Sequence, residues 1–311
     1  MASGQLTCQS CQATYVIRNG IPRFVPQENY SQSFGFQWKR HYCTQLDKFN
    51  GTTLSAERFW ESTRWNPNLD GQTILEAGSG AGRFTQIALD AGATVWSFDY
   101  SDAVEANDAN NGGHERLHLF QGDLYAIPLP TASFDKVFCF GVLQHCPDVK
   151  KAFLSLLPFL KPGGEIAVDF YDWDRRNPST RQVLYWVRQK TATMDPGTLY
   201  RWVRWLYPGL LLLHRAVSSR VGSAIRRRLP LVRNIRGPLV PIQDYRTVYH
   251  DRMSAAMIRE WSILDTFDLL SPRYDQPQRL KDVESWFHEA GLTNVCVWHG
   301  GNGIIGTGKK P

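Results

Sequence analysis

One segment, residues 74–84, limits the possible folds of this 311-residue chain more than any other. An apolar run leads into Gly78, Gly80 and Gly82, and an amphipathic helix follows. Glycine at such a turn permits backbone angles that other residues avoid, and it lets the main chain approach a ligand closely. Dinucleotide-binding turns space their glycines as G-x-G-x-x-G. Here the spacing is G-x-G-x-G, with Glu76 two residues before the first glycine, so the turn predicts a nucleotide-like ligand without indicating a dinucleotide.

Strands and helices alternate beyond this turn. Helical spacing (i, i+3, i+4, i+7) appears at Phe84, Ile87, Ala88 and Ala91. Repeated βα units predict a parallel sheet with helices on both faces, which is a Rossmann-like α/β fold. The predicted strands are Thr73–Ala77, Thr94–Phe98, His118–Gln121, Lys136–Phe140 and Glu165–Tyr171, followed by a closing hairpin of Asn294–His299 and Ile304–Gly308.

Acidic residues follow the second and third predicted strands. Asp99 lies 21 residues after Gly78, at a strand end where a carboxylate can accept hydrogen bonds from ribose hydroxyls. Enzymes that bind NAD share this arrangement, so Asp99 indicates a nucleoside without naming the cofactor. A solvated acid at the strand end is the alternative. Asp123 follows the third strand within the run Gln121–Leu124.

Five ordered elements between Ile74 and Gly164 together resemble the class I S-adenosylmethionine-dependent methyltransferases. They are the glycine motif, Asp99, the Gly122-Asp123 pair, the segment of residues 134–145 after the fourth strand, and a turn at residues 160–164. The resemblance implies S-adenosylmethionine as the cofactor. It also implies a doubly wound, mostly parallel seven-stranded sheet, a terminal antiparallel hairpin and a helical insert after the fifth strand.

The same resemblance implies a role for each part of the cofactor site. Asp123 contacts the adenine amino group, the next backbone NH faces a ring nitrogen, and Glu76 lies near the methionyl end. The NH groups of residues 79–82, at a helix N-terminus, face the methionyl carboxylate. The predicted cofactor-binding residues are Glu76, Gly78, Ser79, Gly80, Gly82, Asp99, Tyr100, Asp123, Leu124 and Phe140.

His145 is the predicted proton acceptor, because it follows the fourth strand where the transferred methyl group should emerge. A neutral imidazole can accept a proton from a hydroxyl or an amine during attack. The alternative is that His145 only shapes the pocket. Asp172 and Tyr171, at the end of the fifth strand, are further catalytic candidates on the acceptor side. No spacing of histidines and carboxylates suggests a catalytic metal.

Four regions are predicted along the chain. Residues 1–26 form a tail, 27–70 an aromatic-rich helical cap, 71–172 with 251–311 the core, and 173–250 a helical insert.

The tail contains Cys8-x-x-Cys11, which resembles half of a zinc ribbon. A complete ribbon needs two cysteine pairs for tetrahedral zinc. Zinc binding and a remnant tail that packs through Tyr15, Ile21 and Phe24 both stay open.

The insert carries an unusual concentration of positive charge. Residues 174–250 contain 15 Lys and Arg against 3 Asp and Glu, whereas the remainder of the chain has a net charge of −6. An apolar helical stripe of Leu199, Trp202, Val203 and Leu206 precedes the arginine run at 226–228. This combination is typical of an interfacial helix on an anionic membrane. An anionic substrate, RNA or a helical lid with solvated arginines are alternatives, and the lack of recognised RNA modules disfavours RNA.

We therefore expect methyl transfer from S-adenosylmethionine to a small-molecule or lipid-linked acceptor, in the form of O-methylation. An anionic acceptor suits the basic insert, and a sugar is one candidate. The layout of the chain resembles methyltransferases of bacterial glycolipid and surface-polysaccharide synthesis. An RNA methyltransferase and a non-catalytic cofactor-binding protein are the alternatives. Six scattered cysteines and a polar start predict a cytoplasmic location, with contact at the inner face of the membrane. The sequence does not predict an oligomeric state.

Overall fold

The computed structural model describes residues 3–26, 29–174, 178–219, 222, 224, 228 and 240–311. The strands are β1 (Gly4–Thr7), β2 (Thr14–Arg18), β3 (Ile21–Pro22), β4 (Thr73–Ala77), β5 (Thr94–Asp99), β6 (Leu117–Gln121), β7 (Phe134–Cys139), β8 (Leu160–Phe170), β9 (Thr293–Gly300) and β10 (Gly303–Lys309). The helices are α1 (Gln32–Arg40), α2 (Asp47–Asn50), α3 (Leu54–Thr63), α4 (Arg83–Asp90), α5 (Val104–Asn111), α6 (Val149–Leu154), α7 (Pro178–Thr191), α8 (Pro196–Ser218), α9 (Arg246–Tyr249), α10 (Ala255–Leu270) and α11 (Leu280–Glu289).

Seven strands form the central sheet in the order β6-β5-β4-β7-β8-β10-β9. The first five pair in parallel, and β10 is antiparallel to both β8 and β9. The predicted Rossmann-like class, with its terminal hairpin, is confirmed. The strand order reverses between β4 and β7, and in open α/β sheets this is where ligands bind.

One local prediction is wrong, because residues 160–164 belong to β8 and do not form a separate turn. Leu160 pairs with Phe134, and the next pair is Glu165 with Lys136. At this one register shift, β8 therefore contains three more residues than β7. Gly163 has a φ of 77°, which permits this irregularity without ending the strand.

Helices cover both faces of the sheet, as the βα pattern predicts. On one face, Phe59 of α3 and Phe84 of α4 pack with Phe138 of β7. On the other face, Phe153 of α6 stacks on Phe287 of α11 with ring centroids 4.6 Å apart. Burial of such aromatic side chains stabilises the layers by roughly 1.5–3 kcal/mol each.

The tail forms a small antiparallel sheet of β1, β2 and β3. Phe24 lies 5.0 Å from Tyr15 and 5.9 Å from Phe120, measured between ring centroids, and Ile21 is buried. These contacts are those expected of the remnant tail. Within the part of the chain that the structure describes, no group of three or more His, Cys, Asp or Glu side chains is arranged to hold a metal. Zinc binding at the cysteine pair stays a prediction.

The junction between tail and core is polar. Arg23 is buried, and it donates to the side chains of Gln121 (3.0 Å) and Glu105 (3.2 Å). The backbone NH of Phe24 donates to the Gln121 carbonyl at 2.8 Å. The tail is thereby attached to the edge strand β6.

The helices α7, α8 and α10 form a layer beyond the carboxyl ends of the strands. The predicted core boundary at residue 251 assigns α10 to the core, but α10 packs against α7, α8 and α1. Ile263 and Phe267 of α10 join one apolar cluster with Leu199 and Val203 of α8.

The predicted apolar stripe of α8 is only half correct. Leu199 and Val203 are buried, whereas Trp202 is 57% exposed and Leu206 is 40% exposed. The two pairs lie on neighbouring strips of the helix. The strip of Leu199 and Val203 continues through buried side chains and packs against α10, whereas the strip of Trp202 and Leu206 does not. The further buried residues are Tyr200, Tyr207 and Leu211. Helical spacing alone could not distinguish the two strips.

No helix among the described residues has the length and apolar character needed to cross a membrane. In the predicted arginine run, Arg228 is exposed, and Arg226 and Arg227 lie outside the described residues.

Candidate active site

A cavity of about 680 Å³ lies at the carboxyl ends of the parallel strands, bounded by the cap and by the helical layer. It coincides with the point where the strand order reverses, between β4 and β7. Ten of the predicted site residues line it: Gly78, Ser79, Gly80, Asp99, Tyr100, Asp123, Leu124, Phe140, His145 and Asp172. The fold therefore brings residues from five different strand ends to one chamber.

The glycine loop needs its glycines for two physical reasons. Gly78, Gly80 and Gly82 have φ angles of 81°, 53° and 81°, in the left-handed region that disfavours side chains. A Cβ atom on Gly78 would lie 2.2 Å from a methyl carbon of Val142. A Cβ on Gly82 would lie 2.1 Å from the Asn107 side-chain oxygen. Val142 and Asn107 thus leave no room for side chains at Gly78 and Gly82.

Hydrogen bonds from the glycine loop and from Ser101 hold the Asp99 carboxylate in position. Its Oδ2 accepts a hydrogen bond from the Gly80 NH at 2.9 Å, and its Oδ1 accepts from the Ser101 NH at 2.8 Å. Burial raises the pKa of Asp99, and the hydrogen bonds from Ser101 and Gly80 oppose that effect. The Ser101 hydroxyl also donates to Oδ1 at 2.7 Å, so the capacity of Asp99 to accept from a ribose hydroxyl remains on Oδ2.

The cavity lining fits S-adenosylmethionine at both ends. Asp99 and Asp123 stand at the ends of β5 and β6, where the nucleoside is expected. At the loop, the Ser79 hydroxyl is buried and has no hydrogen-bond partner among the described residues, yet it belongs to the lining. A buried polar group is normally satisfied, so an amino-acid moiety of the cofactor would supply what Ser79 lacks.

Two of the predicted cofactor-binding residues, Glu76 and Gly82, do not line the cavity. The Glu76 carboxylate accepts hydrogen bonds from the hydroxyls of Thr85 and Ser97, and the Asn107 amide donates to both hydroxyls. Burial raises the pKa of Glu76 to about 7. The structure thus gives Glu76 a positioning role between β4, β5 and α4, and its direct contact with the methionyl end stays a prediction.

His145 ends a short 3₁₀ turn after β7 and is buried. Its Nδ1 lies 2.9 Å from the carbonyl oxygen of Tyr274. A carbonyl can only accept, so Nδ1 carries the proton and Nε2 is left with the lone pair. The rings of Phe34 and Tyr171 lie 5.0 Å and 5.4 Å from the imidazole, between centroids, and fix its plane. This is the tautomer that a general base requires.

Asp172 also lines the cavity, but its carboxylate is engaged. Oδ2 accepts from Nδ1 of His299 at 2.6 Å, and Oδ1 accepts from the Asp174 NH at 2.8 Å. Tyr171 contacts Asp268 through its hydroxyl at 3.4 Å. These arrangements suit positioning of an acceptor better than proton abstraction by Asp172.

Several residues of the cavity lining were not predicted. Arg83 follows the glycine motif directly, so its place beside the loop could have been inferred. The others meet only through long-range packing, which no local pattern reports. They are Gln45, Arg58, Tyr245, Trp261 and Asp265.

Comparison with known proteins agrees with this geometry. Residues 75–168 match the family model described as a methyltransferase domain. The chain is similar to a sterol 24-C-methyltransferase of Pneumocystis carinii, with 28% identity over 127 residues, covering 37% of this chain and 33% of the relative. It is likewise similar to a ubiquinone biosynthesis O-methyltransferase of Pseudomonas fluorescens, with 28% identity over 115 residues, covering 36% of this chain and 48% of the relative.

A solved S-adenosylmethionine-dependent methyltransferase from Mesorhizobium loti shares 27% identity, with a TM-score of 0.33, over 36% of this chain and 52% of that one. The similarity to the two curated relatives spans one third to one half of their length. The family model, at residues 75–168, leaves residues 27–70 and 173–250 outside its match. The strand order, the cavity and the family match together identify residues 75–168 as an S-adenosylmethionine-dependent methyltransferase domain.

Proposed function

We propose that the protein transfers the methyl group of S-adenosylmethionine to an oxygen of an acceptor that binds in the same cavity. The observation that carries the proposal is His145, whose Nδ1 is committed to the Tyr274 carbonyl while the ring lines the chamber of the glycine loop. The ubiquinone-related O-methyltransferase among the relatives supports this reaction class.

When bound, the cofactor supplies an electrophilic methyl group on a sulfonium. The acceptor oxygen would attack this carbon as the C–S bond breaks and the cofactor leaves as its thioether, and Nε2 of His145 would accept the hydroxyl proton. Alignment of the two reactants in one chamber contributes most of the rate acceleration, because binding them in the reactive orientation removes the entropic cost of their encounter from the transfer step. Phe34 and Tyr171 hold the imidazole in place for this step.

The test uses S-adenosylmethionine labelled in its methyl group, incubated with fractionated cell extracts. We expect label in a small-molecule or lipid fraction with the wild-type protein, and much less label with an Asp99→Ala variant when the cofactor is far below saturation. Label confined to RNA would favour the RNA alternative. Absence of label from every fraction, in a protein that binds the cofactor, would favour a non-catalytic role.

We further propose that α8 brings the protein to an anionic membrane at the cytoplasmic face, where a lipid-linked acceptor is presented. The outer strip of α8 exposes Trp202, Trp205 (79%), Leu206, Leu212 and Leu213. Their spacing places them on one side of the helix. Exposed Arg201 and Arg204 flank the strip.

The apolar strip and the arginines support one occupant, an anionic bilayer. Tryptophan suits the interfacial region of a bilayer, and each nearby arginine adds about 1 kcal/mol of attraction to anionic lipid. The net charge of +12 on residues 174–250 is complementary to such a surface.

We expect the protein to co-sediment with anionic vesicles at low salt, and the Trp202→Ser, Trp205→Ser double variant to bind at least several-fold more weakly. Phe49→Ser, which removes a half-exposed aromatic ring from the cap, is the control and should bind normally. Added salt should weaken binding because it screens the arginines, as should joint replacement of Arg226, Arg227 and Arg228 by Glu. Equal binding to neutral vesicles, or none at low salt, would contradict the membrane proposal. A change of oligomeric mass in the double variant would instead assign the strip to self-association.

A further inference from the structure

We infer that Arg58 and Arg83 form a binding subsite for an anionic group, a carboxylate or a phosphate, carried by the methyl acceptor. The inference rests on the proposed function, because it assigns a chemical class to the acceptor of that same cavity.

Both arginines line the cavity and share one aromatic platform. Their guanidinium carbons lie 5.3 Å (Arg58) and 4.5 Å (Arg83) from the ring centroid of Phe84. Arg58 comes from α3 of the cap, and Arg83 is the first residue of α4. Burial, with the charge of Arg58 as the next cause, lowers the pKa of Arg83 to about 9. Two cations held this close favour the arrival of an anion.

The charge of Arg83 is not balanced within the protein. Its Nη1 donates to the neutral side chain of Gln45 at 2.6 Å, and no carboxylate of the described residues lies within ion-pair distance. Nε of Arg83 and Nε of Arg58 are both buried without a hydrogen-bond partner among those residues. Arginine presents several donors in a planar fork that matches carboxylate and phosphate oxygens.

The neighbouring acids are committed elsewhere. Asp169 accepts from Arg58 at 2.5 Å, and also from the Gly141 NH and from Asn302. Gln45 lies between Arg83 and Asp265, because its side-chain amide accepts from Arg83 and donates to Asp265 at 3.2 Å. Tyr245 and Trp261 also donate to Asp265, and burial raises its pKa to about 7. The pair of arginines therefore retains an excess of positive charge.

Buried arginines elsewhere in the chamber differ. Arg188 also lines the cavity, but it donates to the carbonyls of Leu269 and Pro272, both at 2.7 Å. Such an arginine ties helices together. Arg83, in contrast, lines the cavity with the neutral side chain of Gln45 as its described hydrogen-bond partner, which leaves its charge available to a ligand.

The position within the sheet assigns the subsite to the acceptor. The nucleoside acids Asp99 and Asp123 stand over β5 and β6. Arg58 is bound to Asp169 of β8 and lies beside Gly141, which follows β7. His145 follows the same strand. The anionic group would thus lie on the His145 side of the transferred methyl group, opposite the nucleoside.

The experiment measures anion binding directly, so it does not depend on turnover. The full-length protein is saturated with S-adenosylhomocysteine, and inorganic phosphate or acetate is added at constant ionic strength while Tm is followed. We expect at least one of these anions to raise Tm in the wild type. Because a hydrogen bond to a charged group is typically worth 1.5–3 kcal/mol, Arg83→Gln should weaken the apparent affinity for that anion about tenfold or more.

Arg259→Gln is the matched control. Arg259 is exposed on α10 and lies outside the cavity lining, so this substitution removes the same charge away from the proposed subsite. It should respond to the anion as the wild type does. Arg83→Lys, which keeps the charge but loses the fork, should retain part of the response, and its Tm in chloride shows whether the site still folds.

Three results would overturn the inference. They are no response of the wild type to either anion, an equal response in Arg83→Gln, and competition between the anion and S-adenosylhomocysteine. Competition would assign the arginines to the methionyl carboxylate of the cofactor. A preserved anion response without any methyl transfer would overturn the proposed function alone.

Discussion

Replacing His145 by alanine should slow methyl transfer by about 10²–10⁴-fold, the usual range for loss of a general base. Affinity for S-adenosylhomocysteine should be nearly unchanged, because the nucleoside acids lie at the ends of other strands. Single-turnover rates with an identified acceptor measure the first quantity, and titration calorimetry measures the second.

His118→Ala is the matched control for this variant. His118 is an exposed histidine of β6 that stacks on Trp96 away from the cavity, and its loss should leave the transfer rate intact. If turnover of His145→Ala equals that of the wild type, His145 is a wall of the pocket and the acceptor loses its proton by another route.

Replacing Asp99 by alanine should reduce the affinity for S-adenosylmethionine and S-adenosylhomocysteine by at least about tenfold, since each hydrogen bond to a carboxylate is worth about 1.5–3 kcal/mol. The effect has a second component, because Asp99 also accepts from the Gly80 NH and so shapes the glycine loop. Calorimetric titration of both nucleosides, and of NAD, tests it. NAD should bind to neither protein.

Asp90→Ala is the control for Asp99, since Asp90 is an exposed acid at the end of α4. Its cofactor affinity should match the wild type. Equal cofactor affinity in Asp99→Ala and in the wild type would show that Asp99 does not bind the ribose. A lowered Tm in that variant would indicate that part of the loss of affinity comes from a disturbed glycine loop.

The sheet and the cofactor half of the site could be predicted because their signals are local. β4 begins and ends at the predicted residues, and the turn that follows it contains all three glycines. Asp99 is the last residue of β5 and Asp123 follows β6 by two positions, so finding the strands also locates both acids.

The part of the cavity formed by the cap and the helical layer could not be predicted, because its contacts join residues far apart in the chain. Gln45 and Asp265 meet across 220 positions, and Arg58 and Asp169 across 111. Nothing in the spacing around Arg58 distinguishes it from a solvated helix residue. The same limit explains α8, where two apolar strips have equal periodicity and only tertiary packing decides which one is buried.

The attachment of the tail to β6 has a consequence for self-association. β6 is an edge of the central sheet, and an edge strand presents unpaired NH and carbonyl groups that can template pairing with another molecule. The Phe24 NH occupies the Gln121 carbonyl, and the buried Arg23 side chain covers the end of the same strand. The tail thus covers the end of the sheet edge at Gln121, two residues before the acid expected to bind adenine. We therefore expect cover of that edge against intermolecular pairing, and nucleoside binding, to depend on the same short segment.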